Sequence, residues 1–410
     1  MKKRSWVARL SAMRLCNSLS GQKEPFSPQI PGKVTMYVCG ITPYDTTHLG
    51  HAFTYISFDI LIRYLSYLKY QVTYTQNVTD INDRDNDILK RAKEKNMTWQ
   101  ELSQYWTKRF LDDMANLNWV MPTNYLYASQ TITQASALIE KTVTNGVSYV
   151  VNGGVYLDIE KVSDFGKLSK LSRQQMLEKA KEFEEDLDNP DKKHPLDITL
   201  WRPTMPNQPA HIPSFESPFG KGRPGWHMEC SEMSISSLGE QIDIHGGGMD
   251  LIFPHHESEI AQSESATGKM PFAYYWLHTG TVGINGQKMS KSLGNLILVA
   301  DLLKKYSANA IRWVLLSHHY RDSWQYSETD FAKAEKSIQK IAASLNMAFT
   351  DATEQTSLFR DSVLEQLDDD LNTQTVLRQC EQAAEAVSKS KNLPLQSQLR
   401  ELYTMLGFTL

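Results

Sequence analysis

The loop CGITPYDTTHLGH, residues 39–51, joins an apolar run (VTMYVC) to an amphipathic one (AFTYISFDILIRYLSYLKY). A strand that ends in such a loop and passes into a helix offers backbone N–H groups and the positive end of the helix dipole to an anion. His48 and His51, three residues apart at the helix start, can face the same phosphate. Pro43, Gly50 and the small residues Thr46 and Thr47 let a nucleotide approach the backbone closely. Alone, His-x-x-His is more often a pair of turn histidines. A second stretch, GQKMSKSLGN (286–295), sets Lys288 and Lys291 three apart on a Gly- and Ser-rich loop after an expected strand. Two such ammonium groups suit a lid that neutralises a triphosphate while charge builds on departing pyrophosphate.

The cysteines suggest a metal. Cys39 ends the first strand, and Cys230 lies in GRPGWHMECSEM. In FPHHESEIAQSE, His255 and Glu259 are four apart, on one face if that segment is helical. Two thiolates, an imidazole and a carboxylate form a tetrahedral zinc set. His256 or Glu257 serves equally well as the ligand from that cluster, and each cysteine taken singly reads as a small buried hydrophobe.

Alternating segments must position these groups. VTMYVCG reads as a strand, residues 50–69 as a helix, QVTYTQNVTD as a second strand, and DNDILKRAKEKNMTWQELSQYWTKRFLDDMANLNW as helical. This order points to a parallel, doubly wound sheet. Periodicity fades between about 150 and 225, where prolines and glycines gather, and an insertion is expected there. Strand signals return in QIDIHGGGMDLIF and FAYYWLHTGTVGING, and the pattern is helical after Ser327.

With 410 residues, 41 % hydrophobic and 22 % charged, the chain has ample core for two or three domains. No apolar run approaches the roughly 18–20 residues of a membrane helix. The basic start, MKKRSWVARLSAMRLCNS, lacks the continuous apolar core of a secretory signal. Four cysteines without a Cys-x-x-Cys pair argue against a disulfide scaffold and fit a reduced, cytoplasmic protein. The net charge of −4 decides little, but residues 341–410 carry ten acidic against five basic side chains, a balance that repels phosphates.

HLGH and KMSKS, about 240 residues apart and in that order, resemble the paired signatures of class I aminoacyl-tRNA synthetases. The resemblance implies a Rossmann-type catalytic domain that joins an amino acid to ATP as an acyl adenylate. YVCG, GRPGWHMECS, GGGMDLIFPHHE and KMSKSLGN resemble the cysteinyl-tRNA synthetase family, including the mycothiol cysteine ligases, over about residues 34–335. It implies one zinc on Cys39, Cys230, His255 and Glu259, ATP as cosubstrate with Mg²⁺, and L-cysteine as substrate. His48, His51, Lys288 and Lys291 would be catalytic. Cys39, Gly40, Ile41, Thr42, Thr54, Asn77, Val78, Thr79, Trp226, Gly248, Met249, Asp250 and Val282 would surround the cysteinyl adenylate, with Thr46 nearby.

CGITPYDTTHLGHAFTY, LWRP and SHHYRDSWQYSETDF resemble the mycothiol ligase branch, as does the chain length. That branch implies transfer of cysteine to the amine of glucosaminyl-inositol, an amino sugar, with tRNA the alternative acceptor. Glu259 resembles instead the fourth zinc ligand of the synthetase branch, and EFEEDLDNPDKKHPLD departs from the mycothiol ligase pattern in a loop of the insertion. A cysteine sensor would have no need for both phosphate-handling motifs. The expected fold class is α/β: a Rossmann-type doubly wound parallel sheet with an inserted subdomain and a C-terminal helical bundle, in a monomer. Its expected divisions are an extension at 1–33, a catalytic domain at 34–325 with an insertion at about 120–225, and the bundle at 326–410.

Overall fold

The computed structural model describes residues 13–43, 45–81, 88–209, 211–289, 294–349 and 358–410. In chain order come the hairpin β1 (Arg14–Asn17) and β2 (Gln22–Pro25), then β3 (Lys33–Ile41), α1 (Leu49–Tyr67) and β4 (Gln71–Val78). Next are α2 (Ile88–Glu94), α3 (Trp99–Asn116), β5 (Asn124–Tyr127), α4 (Ile132–Thr144), β6 (Ser148–Val151) and β7 (Gly154–Leu157). After α5 (Arg173–Glu182), β8 (Ile198–Pro203) and β9 (Gly222–Pro224) follow α6 (Trp226–Leu238), β10 (Ile242–Gly248), α7 (Glu257–Thr267) and β11 (Ala273–Thr279). The last strands are β12 (Val282–Ile284), β13 (Gln287–Lys288) and β14 (Trp324–Gln325). The last helices are α8 (Val299–Leu302), α9 (Ala308–Leu316), α10 (Glu328–Leu345), α11 (Phe359–Asp368), α12 (Thr373–Ser390) and α13 (Leu393–Met405).

Apolar residues that follow one another, as in VTMYVC, are all buried only in a strand covered on both faces. β3 is such a strand, at the centre of a five-stranded parallel sheet of order β11-β10-β3-β4-β5. From β3 the chain proceeds outward to β4 and β5; from β10 it proceeds the other way to β11. The order reverses between β3 and β10, and their carboxyl ends diverge there into a crevice, the usual ligand position in doubly wound sheets.

α1 follows β3 directly. Thirteen of its nineteen residues are buried, so it is covered on nearly every side, by the sheet and by α9 and α13. Its one buried carboxylate, Asp59, accepts the Val120 N–H (2.7 Å) and the Arg63 Nε–H (2.9 Å) and pairs with Arg312 of α9. Arg312 also donates to the carbonyls of Leu406 (2.7 Å) and Leu117 (3.0 Å). One guanidinium thus joins the sheet's first helix to the last turn of the chain.

Three expectations about organisation change. The stretch from about 120 is not all insertion, because β5 pairs with β4 from Thr75↔Asn124 to Val78↔Tyr127 as the sheet's edge. Its half-buried NYLY carries little strand signal. The inserted part from Ser148 to Pro224 is a four-stranded antiparallel sheet, order β6-β7-β8-β9, whose three- to six-residue strands are too short to show periodicity. Residues 13–33 are no appendage: Leu15 and Phe26 lie in the main core, and Ser18 N–H donates to Trp276 O of β11 (2.8 Å). That core also continues across residue 326 into α10–α13.

Removing Arg312 leaves the buried Asp59 with the partly exposed Arg63 as its remaining cationic partner and empties a fully buried site that also satisfied two carbonyls. Arg312→Ala is expected to cost ~3–5 kcal/mol of stability. Urea unfolding would contradict this with a loss below about 0.5 kcal/mol, the range of ordinary surface substitutions.

Candidate active site

At the start of α1, His48 has extended backbone (φ −101°, ψ 166°), and its Nδ1 accepts the His51 N–H at 3.3 Å. The two imidazoles stack with centroids 3.7 Å apart. Both line a cavity of about 490 Å³ in the crevice between β3 and β10, within the size range of small-molecule sites. The N–H groups of a buried nineteen-residue helix therefore open on the same space as the two histidines.

Cys39, Gly40, Ile41, Thr42 and Thr54 line the cavity from the β3–α1 side, and Trp226, Gly248, Asp250 and Val282 line it from the other. Gly40 is held from behind: its N–H donates to Asn77 Oδ1 (2.7 Å), and a Cβ there would lie 1.6 Å from Asn77 O. The strand end that carries Cys39 can approach β4 only because residue 40 has no side chain.

Asn77, Val78, Thr79 and Met249, expected around the adenylate, do not line the cavity. Asn77 and Thr79 are buried one strand further out, joined by Asn77 Nδ2–H to Thr79 Oγ1 (3.2 Å), and Val78 pairs with Ile41. They stand directly behind the Gly40–Ile41 wall. Met249 is 42 % exposed, and Thr46, whose N–H bonds Asp45 Oδ1, also lies off the lining. Tyr55, Leu251, Gly280, Thr281 and Met289 line the cavity although the sequence reading passed over them; Gly280 and Thr281 were signalled only by adjacency to Val282. Lys288 is the second residue of β13, and Lys291 lies outside the described residues.

Beneath the cavity, one donor atom each from Cys39, Cys230, His255 and Glu259 lies within 4.8 Å of the others, and all four residues are buried. The Cys39 thiol donates to Glu259 Oε1 (3.4 Å), and His255 Nε2 is 3.2 Å from the same oxygen. Two sulfurs, one nitrogen and one oxygen so gathered match a tetrahedral zinc set in number and chemistry. Burial pushes the Cys39 thiol and the Glu259 carboxyl well above their ordinary values. Their ionised forms need a positive partner here, which a divalent metal provides.

Histidines surround the donors. His255 Nδ1 meets His227 Nδ1 at 2.8 Å, and His245 Nε2 meets Glu259 Oε2 at 2.9 Å. His256 reaches Cys39 Sγ with Nε2 (3.3 Å) and His278 Nε2 with Nδ1 (2.8 Å); His278 Nδ1 meets Ser18 Oγ at 2.7 Å. Burial lowers His245 and His278 to about 3, so both are neutral imidazoles at physiological pH. Such contacts orient ligand side chains. His256, left open as a ligand, is in a second group with Cys39 and His245. Glu257 points elsewhere: its oxygens accept the N–H groups of Gly166 (2.9 Å) and Ser169 (2.7 Å), holding the inserted subdomain. Trp226, at the N-terminus of α6, lines the cavity and lays its ring 4.3 Å from that of His255.

Residues 25–336 match the family model described as tRNA synthetases class I (C) catalytic domain. The cysteine–tRNA ligase of Dehalococcoides mccartyi is 42 % identical over 408 residues, covering 97 % of this chain and 87 % of that protein. The cysteine–tRNA ligase of Geobacter metallireducens is 42 % identical over 382 residues, covering 89 % and 76 %. Among solved structures, Mycobacterium tuberculosis methionyl-tRNA synthetase in complex with methionyl-adenylate superposes with a TM-score of 0.64 at 15 % identity, covering 91 % of this chain and 88 % of that one. That likeness establishes the fold.

If the four donors share one metal, Cys230→Ala removes a ligand without touching the phosphate side. Zinc content measured on the purified variant is expected to fall from about one per chain to a small fraction of that, since zinc sites depend on each of their few ligands. Full occupancy would break the assignment.

Proposed function

Because the chain belongs to the class I (C) tRNA synthetase catalytic-domain family, we propose that it activates L-cysteine with ATP as cysteinyl adenylate and passes the cysteinyl group to tRNA. The observation that carries this reading is the buried Cys39–Cys230–His255–Glu259 donor set at the base of the cavity with the His48–His51 pair. As a member of the class I synthetases, the chain is an ATP-dependent ligase with a parallel α/β catalytic fold.

In the first half-reaction a carboxylate oxygen of cysteine attacks the α-phosphorus of ATP, the bond to the β-phosphate breaks, and pyrophosphate leaves. His48, His51 and the N–H groups of α1 meet the phosphates, and Lys288 and Lys291 balance the charge on the leaving group. Asp250 accepts from the ribose hydroxyls, since a carboxylate takes more than one such bond. Thr42 and Thr54 stand beside the adenylate. Cys39, Cys230, His255 and Glu259 would hold zinc. When bound, that metal supplies a soft cation that prefers a thiolate, the discrimination against serine that size alone cannot supply. In the second half-reaction a ribose hydroxyl at the tRNA 3′ end attacks the carbonyl carbon and AMP leaves, giving an ester.

Support for tRNA as the acceptor comes from relatives named for tRNA ligation and from the carboxylate at Glu259, where a small or apolar residue was expected in the amino-sugar branch. Glucosaminyl-inositol, the acceptor of mycothiol synthesis, becomes the second reading, favoured by CGITPYDTTHLGHAFTY and SHHYRDSWQYSETDF. Its amine would give an amide. No helix among the described residues is long and apolar enough to cross a membrane. We place the reaction in the cytoplasm, in a monomer, with Mg²⁺ accompanying ATP.

Acceptor competition tests the proposal. Enzyme given ATP, cysteine, tRNA and the amino sugar together is expected to load tRNA; amide alone would transfer the assignment to the amino sugar. Lys291→Ala is expected to slow cysteine-dependent pyrophosphate exchange by roughly 10²–10³, the usual cost of one electrostatic contact to developing charge. Transfer from preformed cysteinyl adenylate should be nearly unaffected, because no pyrophosphate leaves in that step. Equal damage to both half-reactions would rule out the leaving-group role.

A further inference from the structure

Asp370, in the turn between α11 and α12, lies away from the cavity and is 0 % exposed. It and Leu371 both have left-handed backbone (φ 59° and 56°), which non-glycine residues keep only where their surroundings fix them. Two segments distant in sequence, residues 14–16 and 320–321, converge on it. Oδ1 accepts the Cys16 N–H (2.8 Å) and the Tyr320 hydroxyl (2.7 Å), and Oδ2 accepts the Arg321 Nε–H (2.8 Å). Its own N–H donates to Arg14 O (3.0 Å).

From Tyr320 the chain runs as a splint along one wall of the cavity. Tyr320 O accepts the Gly280 N–H (2.8 Å), Ser323 Oγ accepts the Thr281 N–H (3.0 Å), and Thr281 O accepts the Trp324 N–H (3.0 Å). β14 then pairs in parallel with β12, Val282↔Trp324 and Gly283↔Gln325, and Gln325 Oε1 accepts the Gly286 N–H (2.9 Å). The fit is close, because a Cβ on Gly280 would lie 2.2 Å from Asp322 O. Gly280, Thr281 and Val282 line the cavity, and β12 turns into β13, which ends with Lys288.

We propose that Asp370 is a positioning residue for adenylate formation. Through Tyr320 and Arg321 it sets the splint, and through the splint it sets the Gly280–Val282 wall and the root of the Lys288 strand against the His48–His51 side. The inference rests on the reading of the cavity as the place where ATP and cysteine react. Asp370 is suited to this because a carboxylate accepts on both oxygens, and its bond to Arg321 is charge-assisted. An amide must turn its NH₂ toward one of the donors.

The test is pyrophosphate exchange by Asp370→Asn and by Tyr320→Phe, with kcat, KM for cysteine, zinc content and melting temperature measured on each. The expected result is a kcat lower by roughly 10- to 100-fold, the scale of a small misplacement of reacting groups. KM for cysteine and zinc content should be those of the parent. A lower melting temperature with unchanged kcat overturns the proposal, since a merely structural role would produce that pattern. Where Asp370→Asn does not fold, Tyr320→Phe, which removes one hydroxyl, decides by the same criterion. A parent chain that itself exchanges no pyrophosphate overturns the reading of the cavity, and this proposal with it; an active parent with unaffected variants overturns the proposal alone.

Discussion

Two adjacent parallel strands, β3 and β10, hydrogen-bond to each other and then send the chain to opposite sides of the sheet. The gap where their carboxyl ends part is the constraint on which the site depends. Among the described residues no crossover helix covers it, strand ends and helix starts face into it, and side chains distant in sequence meet there. His48 comes from the helix after β3 and Asp250 from the turn after β10, while Cys39 sits at the end of β3 itself. The close approach of Gly40 to Asn77 holds that end in place.

Below the gap the chain buries more polar chemistry than a small core tolerates singly. Two thiols, a carboxyl and several imidazoles lie within a few side chains of one another, most of their polar atoms met by a neighbour and His245 Nδ1 left without one among the described residues. A partly satisfied group of this kind would be costly, since unpaired buried polar atoms lose their hydration without return. The outer members come from far apart: Ser18 from the β1–β2 hairpin, His278 from β11 and Glu185 beside His227 from the inserted subdomain. The hairpin that supplies Ser18 is also held by Asp370, so the base of the cavity and its Gly280 wall share an anchor in the C-terminal helices.

The division between an ester-forming and an amide-forming acceptor is chemically narrow. Both routes need the same activated cysteine, so HLGH, KMSKS and the donor set serve either. The discriminating contacts belong to the acceptor, beyond the adenylate. Local motifs therefore resemble the amino-sugar branch while likeness across nearly the whole chain is to proteins named cysteine–tRNA ligase, and the proposed acceptor rests on the latter.

Spacing alone made much of this legible. The strand–helix–strand order pointed to a parallel sheet, and HLGH pointed to a helix start, which the structure has at His48 and Leu49, because backbone periodicity and helix termini are local properties. Cys39, Cys230, His255 and Glu259 were nameable from motifs, but the choice among His255, His256 and Glu257 was not. On a helical turn, adjacent residues point in different directions, and only packing decides which direction is inward. Glu257 turned to the 166–169 loop, and His256 fell behind Cys39. Likewise nothing local placed Asn77, Val78 and Thr79 beside Gly40 and Ile41, because strand order is set by long-range pairing that no local pattern encodes. Tertiary structure alone joined Asp370 to Cys16, 354 positions away, since a buried carboxylate takes its partners from whatever segments the core brings within reach.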